Sequence, residues 1–305
     1  MNPRTVFMGS PGFAVPILQA LSQHYAIVGV VTQPDRESGR GRLLKQPPVK
    51  ILAQELGLPV IQPPRLRQPE AMQQLIDWQP ELIIVAAFGQ ILRPAVLDLP
   101  PYGCINVHGS LLPRWRGAAP IQAAILHGDT KTGITLMRMD EGVDTGLILS
   151  QQAIPILPED TTITLAERLA HLGAQLLIEI LPAYLSGEIQ PRAQQDEHAL
   201  YAPMLKKEDG ELNFNQTAIE LVRKVRAFTP WPGAYTTWHS QILKIHRASA
   251  AESARGTLQP GQQTLYRGLP AIATAQGLLV LDELQLPGKK ALPGKAFLQG
   301  VRNWV

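Results

Sequence analysis

Apolar positions along the first two thirds of the chain switch between two periods. Short continuous apolar runs predict strands at 5–8, 26–31, 60–61 and 82–87. Between these runs, apolar residues recur at helical spacing, at 14–23, 49–56 and 70–78. Strands that alternate with helices form a mostly parallel sheet with helices on both faces. The sequence therefore predicts an α/β domain in the N-terminal part of the chain.

The pattern changes near residue 189. Before it, helices are predicted at 119–126 and 164–187, and strands at 134–139 and 147–151. Thr164 and Glu167 have the spacing of a capping box at the start of the longer helix. Residues 190–208 are polar without an apolar period, so we interpret them as a linker between domains 1–189 and 209–305. The second domain is predicted to have one helix, 217–227, and then short strands typical of a small barrel, at 235–238, 242–247, 264–266 and 278–284.

The apolar strand predicted at 104–108 carries polar side chains on one face. Asn106 and His108 are two residues apart, so they share a face with Cα atoms roughly 6 to 7 Å apart. Cys104 and His108, roughly 13 Å apart, are too distant for a thiolate dyad. Ligands of open α/β sheets bind beyond the carboxyl ends of strands, where this pair lies. Asn106 and His108 are therefore candidate catalytic residues, although buried polar groups that only stabilise the sheet would give the same pattern.

An imidazole and an amide together suit acyl transfer. The imidazole transfers protons near neutral pH, and the amide NH₂ stabilises an oxyanion. A carboxylate would orient the imidazole, and the turn after the next predicted strand offers Asp140, Glu141 and Asp144. Glycines on both sides of Asp144 would let the chain bend there, but the local sequence does not choose among the three. The tripeptide 144–146 also occurs in aspartic proteases, but those need two carboxylates that share a proton, and this chain has one such tripeptide.

Composition narrows the class of protein. The chain has 305 residues, 45% of them hydrophobic and 17% charged, which is typical of a globular protein and leaves no apolar run of bilayer length. The first residues lead directly into a strand without a signal or transit pattern, so we expect a cytoplasmic protein. The single cysteine excludes an internal disulfide framework and a cysteine-based zinc site.

Charge is unevenly distributed. From Lys206 onward there are 13 Lys and Arg against 7 Asp and Glu, a net charge of +6, whereas residues 1–205 have a net charge of −3. A basic C-terminal third is either a solvated face or a surface for a polyanion such as a nucleic acid.

A second basic segment, 35–48, follows a predicted strand, and its Arg36, Arg40, Arg42 and Lys45 could hold a phosphate backbone. The segment 114–116 could act similarly, or its tryptophan could pack on the domain.

The turn 9–12 after the first strand raises the alternative of dinucleotide binding. The fingerprint of such sites needs glycine at the position of Pro11 and an acidic residue near the position of Gln33. Both are missing, so a tight strand-to-helix turn is the simpler interpretation, and a nicotinamide dehydrogenase is disfavoured.

Several motifs resemble those of the folate-dependent formyltransferases. They are Asn106-Val107-His108-Gly109-Ser110-Leu111-Leu112-Pro113, then Arg114-Trp115-Arg116-Gly117, and Gly142-Val143-Asp144-Thr145-Gly146. The segments 8–11, 33–36 and 226–234 are similar to those of the members that act on charged initiator tRNA. The resemblance implies a Rossmann-like domain that binds 10-formyltetrahydrofolate and an OB-like barrel that helps to hold initiator methionyl-tRNA.

The resemblance also implies roles for individual residues. Asn106, His108 and Asp144 would be catalytic, and the folate site would include Ser110, Leu111, Leu112 and Pro113. The residues approaching the acceptor stem of the tRNA would be Arg36, Arg40, Arg42 and Lys45. The resemblance implies no metal, no nicotinamide cofactor, no membrane association and no obligate protein partner. The chain departs from the family pattern at Leu43 and Met204, where basic residues are common.

Overall fold

A computed structural model describes residues 2–38, 43–252, 258–301 and 303–305. Arg40 and Arg42 lie outside these described residues. The chain divides into two compact units, which are described separately. The first contains residues 1–120, 132–154 and 166–202, and the second contains 121–131, 155–165 and 203–305.

The helices and strands follow in chain order. The strands are β1 (Thr5–Gly9), β2 (Ile27–Val31), β3 (Arg36–Ser38), β4 (Leu43–Lys45), β5 (Val60–Ile61), β6 (Leu82–Ala86), β7 (Cys104–His108), β8 (Arg116–Gly117), β9 (Lys131–Arg138), β10 (Leu147–Pro155), β11 (Tyr201–Ala202), β12 (Ala234–Trp238), β13 (Gln241–Ala251), β14 (Gln263–Tyr266), β15 (Leu269–Ala273), β16 (Leu278–Gln285) and β17 (Leu292–Pro293). The helices are α1 (Val15–His24), α2 (Pro48–Glu55), α3 (Pro69–Asp77), α4 (Pro94–Leu97), α5 (Pro120–Leu126), α6 (Thr162–Leu185), α7 (Ala218–Ala227) and α8 (Gly294–Gly300). No described helix is both long enough and apolar enough to span a membrane.

A mostly parallel sheet forms the centre of the first unit, which confirms the α/β prediction. Its strand order is β10-β9-β7-β6-β1-β2-β5. Strand β1 pairs in parallel with β2 and β6, and β6 with β7, whereas β7 and β9 are antiparallel. Strands β1 and β6 are buried along their whole length, as their continuous apolar sequences predict. The carboxyl ends of β1, β6 and β7 are consequently neighbours, and β7 ends at His108.

Segments between the main strands differ from the predictions in their detail. The basic segment 35–48 contains a short antiparallel ribbon, in which Arg36 lies opposite Lys45. Helix α6 begins at Thr162, ahead of the predicted start, because Thr161 and Thr164 cap it reciprocally through their hydroxyl groups and backbone N–H groups. The predicted capping residue Thr164 is therefore inside the helix.

The segment 190–208, predicted as a linker, is divided. Its part up to Ala202 belongs to the first unit, where β11 pairs in parallel with β8 and Arg192 bridges to Ile148. A polar sequence without an apolar period is compatible with this arrangement, because the segment is held mainly by hydrogen bonds.

An antiparallel sheet dominates the second unit, as its short strands predict. The strand order is β12-β13-β16-β15-β14, with β17 beside β16. Helices α7 and α8 contribute Leu221, Val225 and Phe297 to the core of this unit, together with Trp304. Strand β15 and helix α8 were not predicted, because each is short and adjoins proline or glycine.

Candidate active site

Strand β7 places Asn106 and His108 side by side, and Asp144 completes the cluster. The Asn106 amide Nδ2 donates to Asp144 Oδ1 over 3.4 Å, and His108 Nδ1 lies 3.6 Å from Asp144 Oδ2. The His108 side chain is only 6% exposed and that of Asp144 only 15%. The structure therefore brings together the amide, the imidazole and the carboxylate at the carboxyl end of the sheet.

The turn after β9 explains why Asp144 is the carboxylate that reaches the pair. Its backbone has φ of +54°, a left-handed conformation that Asp tolerates better than most residues. The backbone N–H of Gly117 donates to Asp144 Oδ2 over 2.8 Å, which fixes the carboxylate. Asp140 instead accepts hydrogen bonds from the N–H of Gly142 and the hydroxyl of Thr145, so it stabilises the turn itself.

Both ring nitrogens of His108 face acceptor oxygens. Nε2 lies 3.1 Å from the carbonyl oxygen of Trp115, which can only accept, so a ring tautomer with its proton on Nε2 donates to it. Nδ1 faces the Asp144 carboxylate, where a neutral ring of this tautomer would present a lone pair. Each ring nitrogen therefore has an acceptor oxygen within 3.6 Å.

Residues 110–113 are held against β9 and β10 by a compact hydrogen-bond network. The Ser110 hydroxyl donates to the carbonyl of Arg114 over 2.6 Å, and the Thr135 hydroxyl donates to the carbonyl of Ser110 over 2.6 Å. The Gln151 amide donates to the carbonyl of Leu112 over 2.8 Å. Ser110 and Leu112 are buried, whereas Leu111 and Pro113 are half-buried. Only the last two therefore offer much side-chain surface to a ligand.

The segment 114–116 does not form an exposed basic patch, which corrects one of the interpretations from sequence. Arg116 is 2% exposed; its guanidinium donates to Gln194 Oε1 at 2.8 and 3.0 Å and pairs with Asp196 at 2.6 Å. Trp115 is 4% exposed, with the Arg114 guanidinium 4.5 Å from its ring centre. The alternative of a packed tryptophan is therefore confirmed, and Arg116 is a structural residue.

A cavity of about 520 Å³ opens beside the basic ribbon in the first unit. Its lining includes Arg36, Lys45, Ser10 and Gln33, together with the loop that follows β6. The cavity lies at the carboxyl ends of β1 and β2, on the edge of the sheet where β7 ends. Two of the four predicted phosphate-binding cations thus line one concave site.

A second cavity of about 340 Å³ lies in the loops after β5 and β6. Three arginines line it, with an apolar floor that includes Met72 and Val96; the arginines are Arg65, Arg67 and Arg93. Among the described residues, no group of three or more His, Cys, Asp or Glu could hold a metal ion.

Cys104 is buried at the start of β7 and takes no part in this cluster. It is 1% exposed, and burial raises the pKa of its thiol to about 12. At pH 8 only about 10⁻⁴ of the thiol is then ionised, and the thiolate is the reactive form.

We expect iodoacetamide to leave Cys104 of the native protein unmodified at pH 8 and to label it fully in 8 M urea, with both results measured by mass spectrometry. Rapid labelling of the native protein would contradict this burial.

Three contacts that support this cluster could not be found by reading side-chain types. The Trp115 carbonyl and the Gly117 N–H act through the backbone, which the sequence does not distinguish. Gln194 donates to the carbonyl oxygens of Asp144 and Gly146, yet it is one of several glutamines in a polar segment. Nothing in its local sequence distinguishes it from Gln190 and Gln195 in the same segment.

Two family models match the chain. One, described as formyl transferase, matches residues 4–181, and the other, described as formyl transferase, C-terminal domain, matches residues 204–302. The methionyl-tRNA formyltransferase of Myxococcus xanthus (strain DK1622) is 49% identical over 98% of this chain and 95% of its own length. That of Dehalococcoides mccartyi (strain ATCC BAA-2266 / KCTC 15142 / 195) is 47% identical over 99% of this chain and 96% of its own length.

Solved structures share the fold at lower identity. The sugar 3N-formyl transferase WlaRD, solved with dTDP and 5-N-formyl-THF, has a TM-score of 0.67 at 17% identity, with 95% of this chain and 100% of that chain covered. The N-formyltransferase from Helicobacter canadensis, solved with folinic acid and dTDP-3-aminofucose, has the same TM-score and identity, over 92% of this chain and 98% of that chain.

Proposed function

The chain belongs to the formyl transferase family and to its methionyl-tRNA formyltransferases, and from this we propose which reaction it catalyses. It transfers a formyl group from 10-formyltetrahydrofolate to the free amino group of initiator methionyl-tRNA, which gives N-formylmethionyl-tRNA for translation initiation. The observation that carries this proposal is the contact of Asn106, His108 and Asp144 at the carboxyl edge of the sheet. The cytoplasm is the compartment where such a reaction supplies translation.

The reaction begins when the amine of methionyl-tRNA attacks the formyl carbon and creates a tetrahedral oxyanion. An amide NH₂ has two hydrogens, and Asn106 directs one of them at Asp144, so the other serves the oxyanion. The His108 imidazolium adds a second, charged donor once Nε2 exchanges the Trp115 carbonyl for the substrate oxygen.

Proton transfers complete the exchange. The attacking amine loses a proton to water or to Asp144, and this proton is passed on to the folate nitrogen. Collapse of the oxyanion then breaks the bond between the formyl carbon and that nitrogen, which leaves as the amine of tetrahydrofolate. Asp144 also orients the imidazole towards the oxyanion, because Gly117 holds the carboxylate beside the ring.

Two features of the first unit suit the chemistry of the folate cosubstrate. Residues Ser110 to Pro113 follow the catalytic strand, and the half-buried Leu111 and Pro113 offer apolar contact. The apolar cavity with three arginines suits an aromatic group that carries carboxylates, as the aminobenzoyl-glutamate part of a folate does.

The tRNA site in this proposal has two parts. Arg36 and Lys45 of the ribbon contact the acceptor stem, as do Arg40 and Arg42, which lie outside the described residues. The basic residues from Lys206 onward contact the tRNA elsewhere. In this proposal residues 1–189 are the catalytic domain, 190–208 the connection, and 209–305 an OB-like barrel that binds tRNA.

Replacing both Arg36 and Lys45 by alanine is expected to raise the KM for charged tRNA and leave kcat within about twofold. Each lost phosphate contact lowers the slope of log affinity against log salt by about 0.7 to 0.9, so the double variant should lose about 1.4 to 1.8. Initial rates between 50 and 200 mM salt measure both effects. Arg4→Ala removes a charge at the amino end of β1 and should keep the wild-type slope. An unchanged slope in the double variant would remove these two residues from the tRNA site.

The decisive test of the proposed function is formyl transfer with purified protein. We expect transfer from 10-formyltetrahydrofolate to charged initiator methionyl-tRNA, and much less to charged elongator methionyl-tRNA. A glycinamide nucleotide or an amino-sugar nucleotide, offered without tRNA, should not be formylated. Transfer to those amines instead would make the protein a small-amine formyltransferase. Tight tRNA binding without any turnover would make it a binding module with an inactive strand.

A further inference from the structure

Gln194 connects the turn that holds Asp144 with a buried arginine. Its amide Nε2 donates to the carbonyl oxygens of Asp144 and Gly146, over 2.9 and 2.8 Å. Its Oε1 accepts from Arg116 Nε and Nη2, over 3.0 and 2.8 Å. The side-chain amide thereby makes all four of its hydrogen bonds, two through the nitrogen as donor and two through the oxygen as acceptor.

Arg116 fixes the other end of this connection. It is 2% exposed, it pairs with Asp196, and the residue after it, Gly117, supplies the N–H that donates to the Asp144 carboxylate. Gly117 has φ of +112°, and a Cβ there would come within 2.6 Å of the Ala202 carbonyl oxygen. The strand that carries Arg116 and Gly117 is therefore packed closely against β11.

The backbone at Asp144 needs such support. Asp144 is left-handed at φ +54° and lies in a turn with exposed residues on its N-terminal side. Even for Asp this conformation costs some energy, so hydrogen bonds from the surroundings help to hold it. Gln194 supplies two hydrogen bonds to this turn from a segment about 50 residues further along the chain.

From this network we propose that Gln194 is a positioning residue for formyl transfer, acting on Asp144 and through it on His108. The inference rests on the proposed function, because it assigns Asp144 its part in the reaction. Gln194 does not contact the reacting atoms in this account; it fixes where the carboxylate lies.

Gln194→Glu separates this role from a purely structural one. A glutamate still accepts from Arg116, so the segment 190–202 stays attached, but it cannot donate to the carbonyls of Asp144 and Gly146. Gln195→Glu makes the same chemical change at the exposed neighbouring glutamine and is the matched control.

We expect Gln194→Glu to lower kcat by roughly 10- to 100-fold, because small misplacements of catalytic groups have effects of this size. The KM values for tRNA and folate should stay within about threefold, and Gln195→Glu should match wild type. In an Asp144→Ala background, Gln194→Glu should cause no further loss of kcat, since the two residues act as one unit. An equal loss in both backgrounds, or wild-type kcat for Gln194→Glu, would overturn the proposal.

A crystal structure of Gln194→Glu tests the same inference without activity. We expect the Asp144 carboxylate to leave the Gly117 N–H or to move away from His108 Nδ1. An unchanged position of the carboxylate would overturn the positioning role. Wild-type protein that formylates no methionyl-tRNA would overturn the proposed function, and the crystallographic result would then decide the role of Gln194 by itself.

Discussion

His108→Ala is expected to lower kcat for formylation of initiator methionyl-tRNA on the order of 10³-fold. In the proposed mechanism the substitution removes a donor to the oxyanion, together with the ring that Asp144 and the Trp115 carbonyl contact. The KM values should change little, because the ring acts on charge that develops only in the transition state. Initial rates with both substrates varied give kcat and KM separately.

The control for this variant is His171→Ala, which removes an exposed histidine from α6 and should retain wild-type kcat. His108 is buried, so its removal also leaves a cavity, and thermal unfolding must show that the variant is folded. His108→Gln fills more of that space with a neutral donor and should recover only a small part of the rate. A folded His108→Ala protein with less than a tenfold loss would show that the imidazole only packs the sheet.

The spacing of apolar residues predicts the architecture because the core of each unit is formed by the side chains that the strands and helices bury. The continuous apolar runs of β1 and β6 are buried on both faces, as a parallel sheet requires. Alternation on β7 likewise predicts that Asn106 and His108 share a face, and the structure joins both to Asp144. These features are encoded locally, within a few residues of each position.

Asp144, and not Asp140, reaches the cluster because of contacts with residues that are far away in the sequence. It needs the Gly117 N–H, 27 residues earlier, and the amide of Gln194, 50 residues later. For the same reason Arg116 was interpreted as a surface cation, since the partners that bury it, Gln194 and Asp196, lie in a polar segment about 80 residues away. Local spacing identifies the elements and the catalytic strand, but only tertiary structure identifies what supports them.

Asn106→Ala is expected to lower kcat on the order of 10²- to 10³-fold, the usual loss when one oxyanion donor is removed. Asn106 is half-buried near the carboxyl end of β7, and its amide contacts Asp144, as the ring of His108 does. Asn106→Asp keeps the size of the side chain but removes the donor and adds a negative charge beside Asp144.

The two substitutions at Asn106 distinguish catalysis from packing. If the amide stabilises the oxyanion, the aspartate variant should be at least as slow as the alanine variant, because a carboxylate repels the developing charge. If Asn106 only fills space, the aspartate variant should be the faster of the two. Asn215→Ala, at an exposed asparagine of the second unit, provides the control for a neutral substitution. Rates for both Asn106 variants within tenfold of wild type would remove Asn106 from the reaction and leave His108 as the sole donor in the proposed site.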